Sequence, residues 1–325
     1  MSRISVLGLD PASYQRHSLH AEDRVWVEKN CYIDIWIEVL HALRLDPLAA
    51  MGFTVAIDFE GDQVTFFKPP HDELRELYGV DVQELNVWRP LVEHAVTHLT
   101  DGKLISTEAD AFYLPDTSGT DYKTTHTKTT IVIESIDVEA RRMGYFHNAS
   151  YYSVEGDDFA KLFRLEAAPD PTFMPLFAEL VRIDRVVRRS NAELATLARA
   201  NLKKHLARRP VTNPVRRFGA RFQAELPSLQ EKGLAHYHAW AFATVRQLGA
   251  ASELTQLHLR WLGAAGQDDL AGAAADFERI SQSAKAFILK AARAVNGKKA
   301  FDALPIFGEM ADAWDRAIET LAARA

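Results

Sequence analysis

The chain has 325 residues, of which 47% are apolar and 25% are charged, and its formal net charge is −6. This length suffices for two domains, and the composition is ordinary for a soluble globular protein. No apolar run is long enough for a transmembrane helix, and the N-terminus lacks the apolar core of a secretion signal. The single cysteine, Cys31, excludes an internal disulfide and a cysteine zinc cluster, so we expect a cytoplasmic protein.

The first half of the chain is predicted to mix helices and strands. An apolar helical run extends from Cys31 to about residue 44, and residues 53–68 carry a hairpin-like pattern around a Gly-Asp turn. Two more helical patterns follow, and the second ends at Gly102. After them, strands are predicted over residues 104–114, 128–137 and 143–154.

The second half is predicted to be helical. Three prolines within residues 166–177 mark the change in character. Beyond them the sequence is rich in Ala, Leu and Arg with a 3.6-residue periodicity, and no convincing strand pattern remains, so the first helix is predicted from about residue 175. We therefore predict an α+β domain over residues 1–168 and an all-α helical bundle domain over residues 169–325.

The position of Cys31 makes it a candidate nucleophile. Free backbone N–H groups and the dipole at a helix N-terminus stabilise a thiolate, and they also point toward the oxyanion of an attacked carbonyl. The competing interpretation is a cysteine that packs as a small hydrophobe inside the protein.

Two histidines in the predicted sheet are candidate bases for Cys31. His126 lies where a loop enters the strand at 128–137, and His147 precedes Asn148 in "YFHNA". Adjacent strand residues face opposite sides of a sheet. If Asn148 faces the site, it can orient His126, and if His147 faces the site, it becomes the rival base. The order Cys, His, Asn, with a helix before the strands, is typical of papain-like enzymes.

Several segments resemble known families. The stretches "EKNCYIDIWIEVLHALRLDP", "EADAFYLPDTSGTDYKTTHTKTTIVIESID" and "GYFHNASYY" resemble an uncharacterised bacterial domain-of-unknown-function family, whose members accompany carrier proteins and amino acid:carrier-protein ligases. The layout is more distantly similar to the N-terminal domain of the butirosin-biosynthesis acyltransferase family. Proteins of that family have a papain-like fold and move an acyl group from a carrier-protein thioester to an amine. Their histidine directly precedes a strand, at the place that Thr129 holds here.

The resemblance also implies site residues. It assigns Cys31 as the nucleophile, His126 as the base and Asn148 as the residue that orients the base, although an aspartate is usual at the third position. Asp110 would be a second polar residue near the site. Asn30 is the nearest substitute for the oxyanion-hole glutamine that papain carries before its cysteine.

A basic segment opens the second half of the chain. Between Arg182 and Arg221, twelve Arg or Lys residues are opposed by Asp184 and Glu193 alone. This excess predicts either a solvated helix face with partners elsewhere in the fold or a surface that docks an acidic carrier protein. Nucleic acid is disfavoured because interleaved aromatic residues are absent. The predicted docking residues are Arg185, Arg188, Arg189, Lys203, Lys204, Arg208, Arg209, Arg216 and Arg217.

Together these features predict a papain-like cysteine acyltransferase joined to a helical C-terminal domain. It would take an acyl or aminoacyl group from a carrier-protein thioester through a Cys31 acyl-enzyme. It would need no cofactor besides the phosphopantetheine of the carrier protein. We expect a carrier protein and an amino acid:carrier-protein ligase as partners, and no metal, nucleic acid or membrane. The alternatives are a cysteine hydrolase (amidase, peptidase or thioesterase) and a non-catalytic module that binds a carrier protein.

Overall fold

The structure is a computed structural model that describes residues 3–168, 170, 172–266 and 270–324. The chain forms two compact units, and each is assembled from separate segments. Unit 1 comprises residues 1–21, 31–46 and 74–188, and unit 2 comprises residues 22–30, 47–73 and 189–325. The prediction of a mixed α+β first part and a helical last part is confirmed. The predicted boundary residue 169 lies outside the described residues.

Unit 1 is built on an antiparallel sheet. Its strands are β1 (Ile4–Ser5), β2 (Asp81–Glu84), β3 (Leu104–Asp110), β4 (Lys128–Asp137), β5 (Arg142–His147), β6 (Ser150–Glu155) and β7 (Ala178–Arg182). The order across the sheet is β2-β7-β3-β4-β5-β6, and β1 pairs with β4. The prediction of no strand after residue 169 is wrong, because β7 pairs with both β2 and β3. A five-residue segment has too little periodicity to be recognised locally, so pairing with its neighbours decides its state.

Helix α1 (Cys31–Ala42) is the central helix of unit 1. Its residues 32–40 are all buried, and it lies against β4, β5 and β6. A helix that is buried on nearly every side belongs to the core. The carboxylates of its two buried acids, Asp34 and Glu38, have hydrogen-bonding partners in the N-terminal segment. His20 Nε2 lies 3.0 Å from Asp34 Oδ1, and the Tyr14 hydroxyl donates to Glu38 Oε2 at 2.7 Å. These bonds fasten the N-terminal segment to α1.

The region predicted as one strand over residues 143–154 is a hairpin. β5 and β6 pair from Arg142↔Glu155 to His147↔Ser150, so Asn148 and Ala149 form the turn. Asn148 has a φ of +45°, and asparagine tolerates this left-handed backbone better than most residues. The rule that adjacent strand residues face opposite sides of the sheet therefore does not extend from His147 to Asn148, because the chain reverses at Asn148.

The remaining helices of the first part are short. They are α2 (His71–Tyr78), in which the chain passes from unit 2 to unit 1, α3 (Leu91–Thr100) and α4 (Gly156–Leu162). The hairpin predicted over residues 53–68 is reduced to a single bridge, Phe59↔Val64, because residues 47–56 form a 3-10 helix instead.

Unit 2 is mainly helical. Its long helices are α5 (Asn191–Ala207), α6 (Pro214–Lys232), α7 (Leu234–Ala243), α8 (Val245–Ala264), α9 (Ala271–Asn296) and α10 (Leu304–Arg324). The first begins later than the predicted residue 175, because Ser190 and Glu193 form a capping box that fixes its start. Within the described ranges, no helix combines the length and apolarity needed to cross a membrane.

Candidate functional site

The thiol of Cys31 lies at the start of α1, beside the first residues of β4. The Thr129 side chain and the Thr130 backbone are the hydrogen-bonding groups near Sγ that act on the pKa of this thiol. The pairing of β4 with β5 extends to Val132↔Phe146, so Thr129 and Thr130 lie beyond that last pair. The sheet therefore places two hydrogen-bonding groups at a partly exposed sulfur.

Burial raises the pKa of Cys31 above the ordinary thiol value. Hydrogen bonds from Thr129 and Thr130 lower this pKa, Asp34 raises it and Lys128 lowers it, but burial is the largest effect. Because the thiolate is the nucleophilic form, the helix N-terminus alone does not activate this residue. Attack by the sulfur requires a base.

Thr129, which acts on the pKa of the thiol, is hydrogen-bonded to a buried histidine. Its Oγ1 lies 2.8 Å from His147 Nε2, and His147 Nδ1 lies 2.6 Å from Asp116 Oδ2. The other carboxylate oxygen accepts the Tyr145 hydroxyl at 2.5 Å. Burial and the Asp116 charge raise the pKa of Tyr145, so its hydroxyl stays a donor. Since the carboxylate accepts from Nδ1–H, Nε2 can accept the single hydroxyl proton of Thr129 while the sulfur is a thiol. When the sulfur is a thiolate, the same proton can be donated to the sulfur instead.

Strand geometry and a short turn bring these groups together. Tyr145 and His147 are two residues apart on β5 and therefore point to the same face of the sheet. Asp116 lies in a 3-10 turn, Pro115–Thr117, between β3 and β4. The Thr117 hydroxyl bonds to the carbonyls of Ala111 and Leu114 at 2.9 Å, which holds the turn in place. The His147 and Asp116 side chains are only 2% and 3% exposed.

His126, the base assigned from the sequence, belongs to a different pair. Its Nδ1 lies 2.6 Å from Asp110 Oδ2, its ring stacks on Phe112 with 4.3 Å between centroids, and its side chain is 65% exposed. Across the described chain, no hydrogen bond joins His126 to Cys31 or Asn148. The structure thus places Asp110 beside His126, and it places His147, the rival base, in a hydrogen bond with Thr129, the residue that acts on the pKa of Cys31.

The two asparagines of the predicted site lie in different surroundings. Asn148 occupies the β5–β6 turn, and the described residues include no hydrogen-bond partner for its side chain. Asn30 belongs to unit 2 and is buried, and its Nδ2 donates to the Phe67 carbonyl at 3.1 Å and to Gln247 Oε1 at 3.3 Å. Both hydrogens of that amide therefore have acceptors, and an oxyanion would have to displace one of them.

The basic segment is divided between the two units. Its residues up to Arg188 lie in unit 1, and those from Arg189 onward lie in unit 2. Acids distant in sequence neutralise part of its charge, because Arg216 lies 3.0 Å from Asp312 and Arg217 pairs with Asp58. Such pairing is the arrangement expected of a solvated helix face. Several other docking candidates are bonded to nearby groups, namely Arg188 to the Arg44 carbonyl, Lys204 to Asn201 and Arg209 to the Leu206 carbonyl.

Sequence reasoning did not assign Asp116, Thr129 or Tyr145 to the site. The resemblance does point to Thr129, because this residue stands where the distant family carries its histidine. Asp116 had a weaker signal, a Pro-Asp turn directly after a strand. Within the ranges that the structure describes, no three His, Cys, Asp or Glu side chains are grouped to hold a metal ion.

The fold and the site define an α+β protein in which a cysteine at a helix N-terminus meets the end of an antiparallel sheet. Models of the DUF1839 N-terminal domain and the DUF1839 C-terminal domain match residues 15–183 and 191–323. The chain therefore belongs to the DUF1839 family, and the resemblance to a domain-of-unknown-function family is confirmed. The division between the two matches follows β7 and lies later than the predicted boundary. No curated protein matches the chain.

Proposed function

We propose that the protein is a cysteine-dependent acyltransferase in which Cys31 carries the acyl group and His147 is the base. The supporting observation is the hydrogen-bonded series from Thr129 Oγ1 to His147 Nε2 and on to Asp116, together with the effect of the Thr129 side chain on the pKa of Cys31. Each group can donate to the next, so a proton can pass from sulfur to imidazole through the threonine hydroxyl. This route supplies the base that the raised pKa of Cys31 demands.

In the first step, the Cys31 proton moves to Thr129 Oγ1 while the hydroxyl proton moves to His147 Nε2. The sulfur attacks the thioester carbonyl and forms a new C–S bond, and backbone N–H groups at the start of α1 stabilise the oxyanion. Collapse breaks the bond to the leaving sulfur, which takes the proton back by the same route. Asp116 stabilises the transient imidazolium through Nδ1–H. Exchange of one thioester for another needs positioning rather than ATP.

In the second step, an amine attacks the carbonyl of the acyl-enzyme. The new C–N bond forms, the amine proton passes to His147, and the bond to Cys31 breaks to release the amide. The departing sulfur is reprotonated from His147 through Thr129, which restores the starting state.

The donor and the fold type rest on the resemblance described above. In a papain-like layout, a cysteine begins a helix that lies on an antiparallel sheet, and its partners come from neighbouring strands. Here Thr129 would stand at the histidine position, and His147 would act from the next strand. The donor would be the phosphopantetheine thioester of an acyl or aminoacyl carrier protein, so the enzyme would need no cofactor of its own.

Acylation by an N-acetylcysteamine thioester, followed by intact mass, tests the proposed nucleophile and base. The wild-type protein should gain one acyl group, and Cys31→Ala should gain none. His147→Gln should slow acylation by about 100-fold, the usual contribution of a general base. His126→Gln is the matched control, because it makes the same substitution at an exposed histidine, and it should retain the wild-type rate within about threefold.

Three outcomes would contradict this assignment. An adduct that persists in Cys31→Ala would exclude Cys31 as the nucleophile. Slow acylation in His126→Gln with normal acylation in His147→Gln would return the base to His126. No adduct on the wild-type protein would favour the non-catalytic carrier-binding module, with which the raised pKa of Cys31 is consistent.

A loaded carrier protein separates transfer from hydrolysis. Incubation with a primary amine should yield the amide, and incubation without it should leave a long-lived acyl-enzyme. Release of free acid at the same rate with and without the amine would identify a cysteine hydrolase instead.

A further inference from the structure

A groove in unit 1 lies outside the hydrogen-bonded series of Cys31. It encloses about 690 Å³, a volume typical of small-molecule sites. It is lined by residues 87–91, which lead into α3, by residues 161–164 at the end of α4, and by Asp110 and Tyr113. Further lining comes from the segment that precedes β7, including Phe173.

Aromatic rings line much of this groove. Trp88 is 74% exposed and Phe173 is 42% exposed, although apolar side chains of this size are usually buried. The Trp88 ring is nevertheless held, because it meets the His94 ring edge-on at 6.0 Å and the Arg89 guanidinium lies 5.1 Å from it. The Arg164 guanidinium lies over Phe173 at 3.9 Å. These rings present a prepared apolar surface.

Cations outnumber acids in the lining. Arg89, Lys161 and Arg164 line the groove together with two acids, Asp110 and Asp170. Asp110 is bonded to an exposed histidine, and Asp170 accepts from the residue two positions on and lies 4.0 Å from Arg164. Among the ion pairs of the described residues, none includes Lys161. Arg89 pairs with Glu93 at 3.8 Å, so Lys161 is the lining cation for which the described residues supply no acid partner.

We infer that this groove binds an amphipathic anion, with an acyl or aryl body against Trp88 and Phe173 and a carboxylate or phosphate head beside Lys161 and Arg164. The rings favour an apolar body, and the ammonium group of Lys161, with the Arg164 guanidinium beside the same groove, favours a negative head. The enclosed volume suits a small molecule rather than a protein surface. This inference concerns binding and does not depend on Cys31, so it can fail while the proposed function holds, or the reverse.

Calorimetry on the full chain with four probes tests the ligand class. The probes share one phenylbutyl body and differ in the head group: 4-phenylbutyrate, 4-phenylbutyl phosphate, 4-phenylbutanol and 4-phenylbutylamine. Both anions should bind at least tenfold more tightly than the alcohol, and the amine should bind most weakly. The tighter of the two anions tells whether the natural ligand is a carboxylate or a phosphate ester.

Variants locate the binding. Lys161→Ala and Arg164→Ala should each weaken anion binding about fivefold to tenfold and leave the alcohol unchanged, as loss of a charged contact predicts. Arg75→Ala is the matched control, because Arg75 is a 60%-exposed arginine of unit 1 that does not line the groove. Trp88→Ala should weaken all probes, and Cys31→Ala should weaken none.

Each contrary result overturns the inference. Absence of saturable binding by any probe excludes the site, and equal affinity for acid and alcohol excludes the anionic class. An equal loss of anion binding in Arg75→Ala shows a nonspecific charge effect. If a groove variant fails to fold by circular dichroism, the four-probe comparison on the wild-type protein still decides the ligand class.

Discussion

Replacing Thr129 with valine should break the connection between Cys31 and His147 while it preserves the shape of the side chain. Valine lacks Oγ1, the atom that lies 2.8 Å from His147 Nε2 and through which Thr129 lowers the pKa of Cys31. Thr129 is 8% exposed, so water cannot readily take the place of its hydroxyl. The variant therefore tests the one atom that both partners share.

Two effects of known size should follow from Thr129→Val. His147 Nε2 loses its donor inside the protein, which should lower the free energy of unfolding by about 1–3 kcal/mol. When the sulfur is ionised, the Thr129 hydroxyl can donate to the thiolate instead, and valine removes that possibility, so the pKa of Cys31 should rise further. A hydrogen bond to a charged group contributes about 1.5 kcal/mol, so alkylation of the thiol at a fixed pH near 8 should slow about tenfold.

Iodoacetamide labelling between about pH 7 and 10, together with urea unfolding, measures both effects. Thr130→Val is the matched control, because Thr130 reaches the sulfur through its backbone rather than its side chain. It should label at the wild-type rate. Labelling of Thr129→Val at that same rate, or equal slowing in both variants, would refute the role of Oγ1.

Three further predictions concern stability. Burial lowers the pKa of His258 to about 4, whereas the unfolded chain protonates this histidine near pH 6.5. The free energy of unfolding should therefore fall by about 3 kcal/mol as the pH drops from about 6.5 to about 4. His258→Gln should reduce this pH dependence, measured by urea unfolding at several pH values. Gly79→Ala would place a methyl group against the Arg185 carbonyl oxygen, so it should lower the free energy of unfolding by about 3 kcal/mol or more. Gly102 has a similar φ of +72° but open space around it, so Gly102→Ala should lower that free energy by about 1 kcal/mol. Tyr145→Phe removes the donor to a buried carboxylate and should cost about 1–3 kcal/mol in urea unfolding.

The contrary outcomes are equally specific. An unchanged pH slope in His258→Gln would mean that other groups cause the acid sensitivity. Equal midpoints for Gly79→Ala and Gly102→Ala would show that backbone strain, not the close carbonyl, sets the cost. A wild-type midpoint in Tyr145→Phe would mean that the carboxylate finds another donor.

The sequence alone determines the elements whose signals are local. Helix α1 begins at Cys31 as predicted, because its apolar run is continuous, and β4 spans the predicted residues 128–137, because its β-branched residues persist through that range. The long helices of unit 2 follow from their periodicity in the same way. In each case one stretch of chain contains all the information needed.

Features that depend on pairing between distant segments were missed. β7 becomes a strand because it forms hydrogen bonds with two strands that lie far from it in sequence. β2 lies about 100 residues earlier in the chain and β3 about 75 residues earlier. The hairpin turn at Asn148 was hidden inside an apparently continuous strand pattern. Backbone groups of the neighbouring strands decide both, and a local window does not contain them.

The candidate site shows the same division. The sequence identifies Cys31 as the candidate nucleophile and restricts the candidate base to His126 or His147, because residue type and approximate position suffice for that. It leaves the choice open, since the face of a strand residue depends on register. In the tertiary structure, strand pairing and the folded-back turn bring Thr129, His147 and Asp116 into one hydrogen-bonded series. Distances of 2.8 Å and 2.6 Å between residues 18 and 31 positions apart are set by the packing of the sheet and its loops, which no single segment of the sequence specifies.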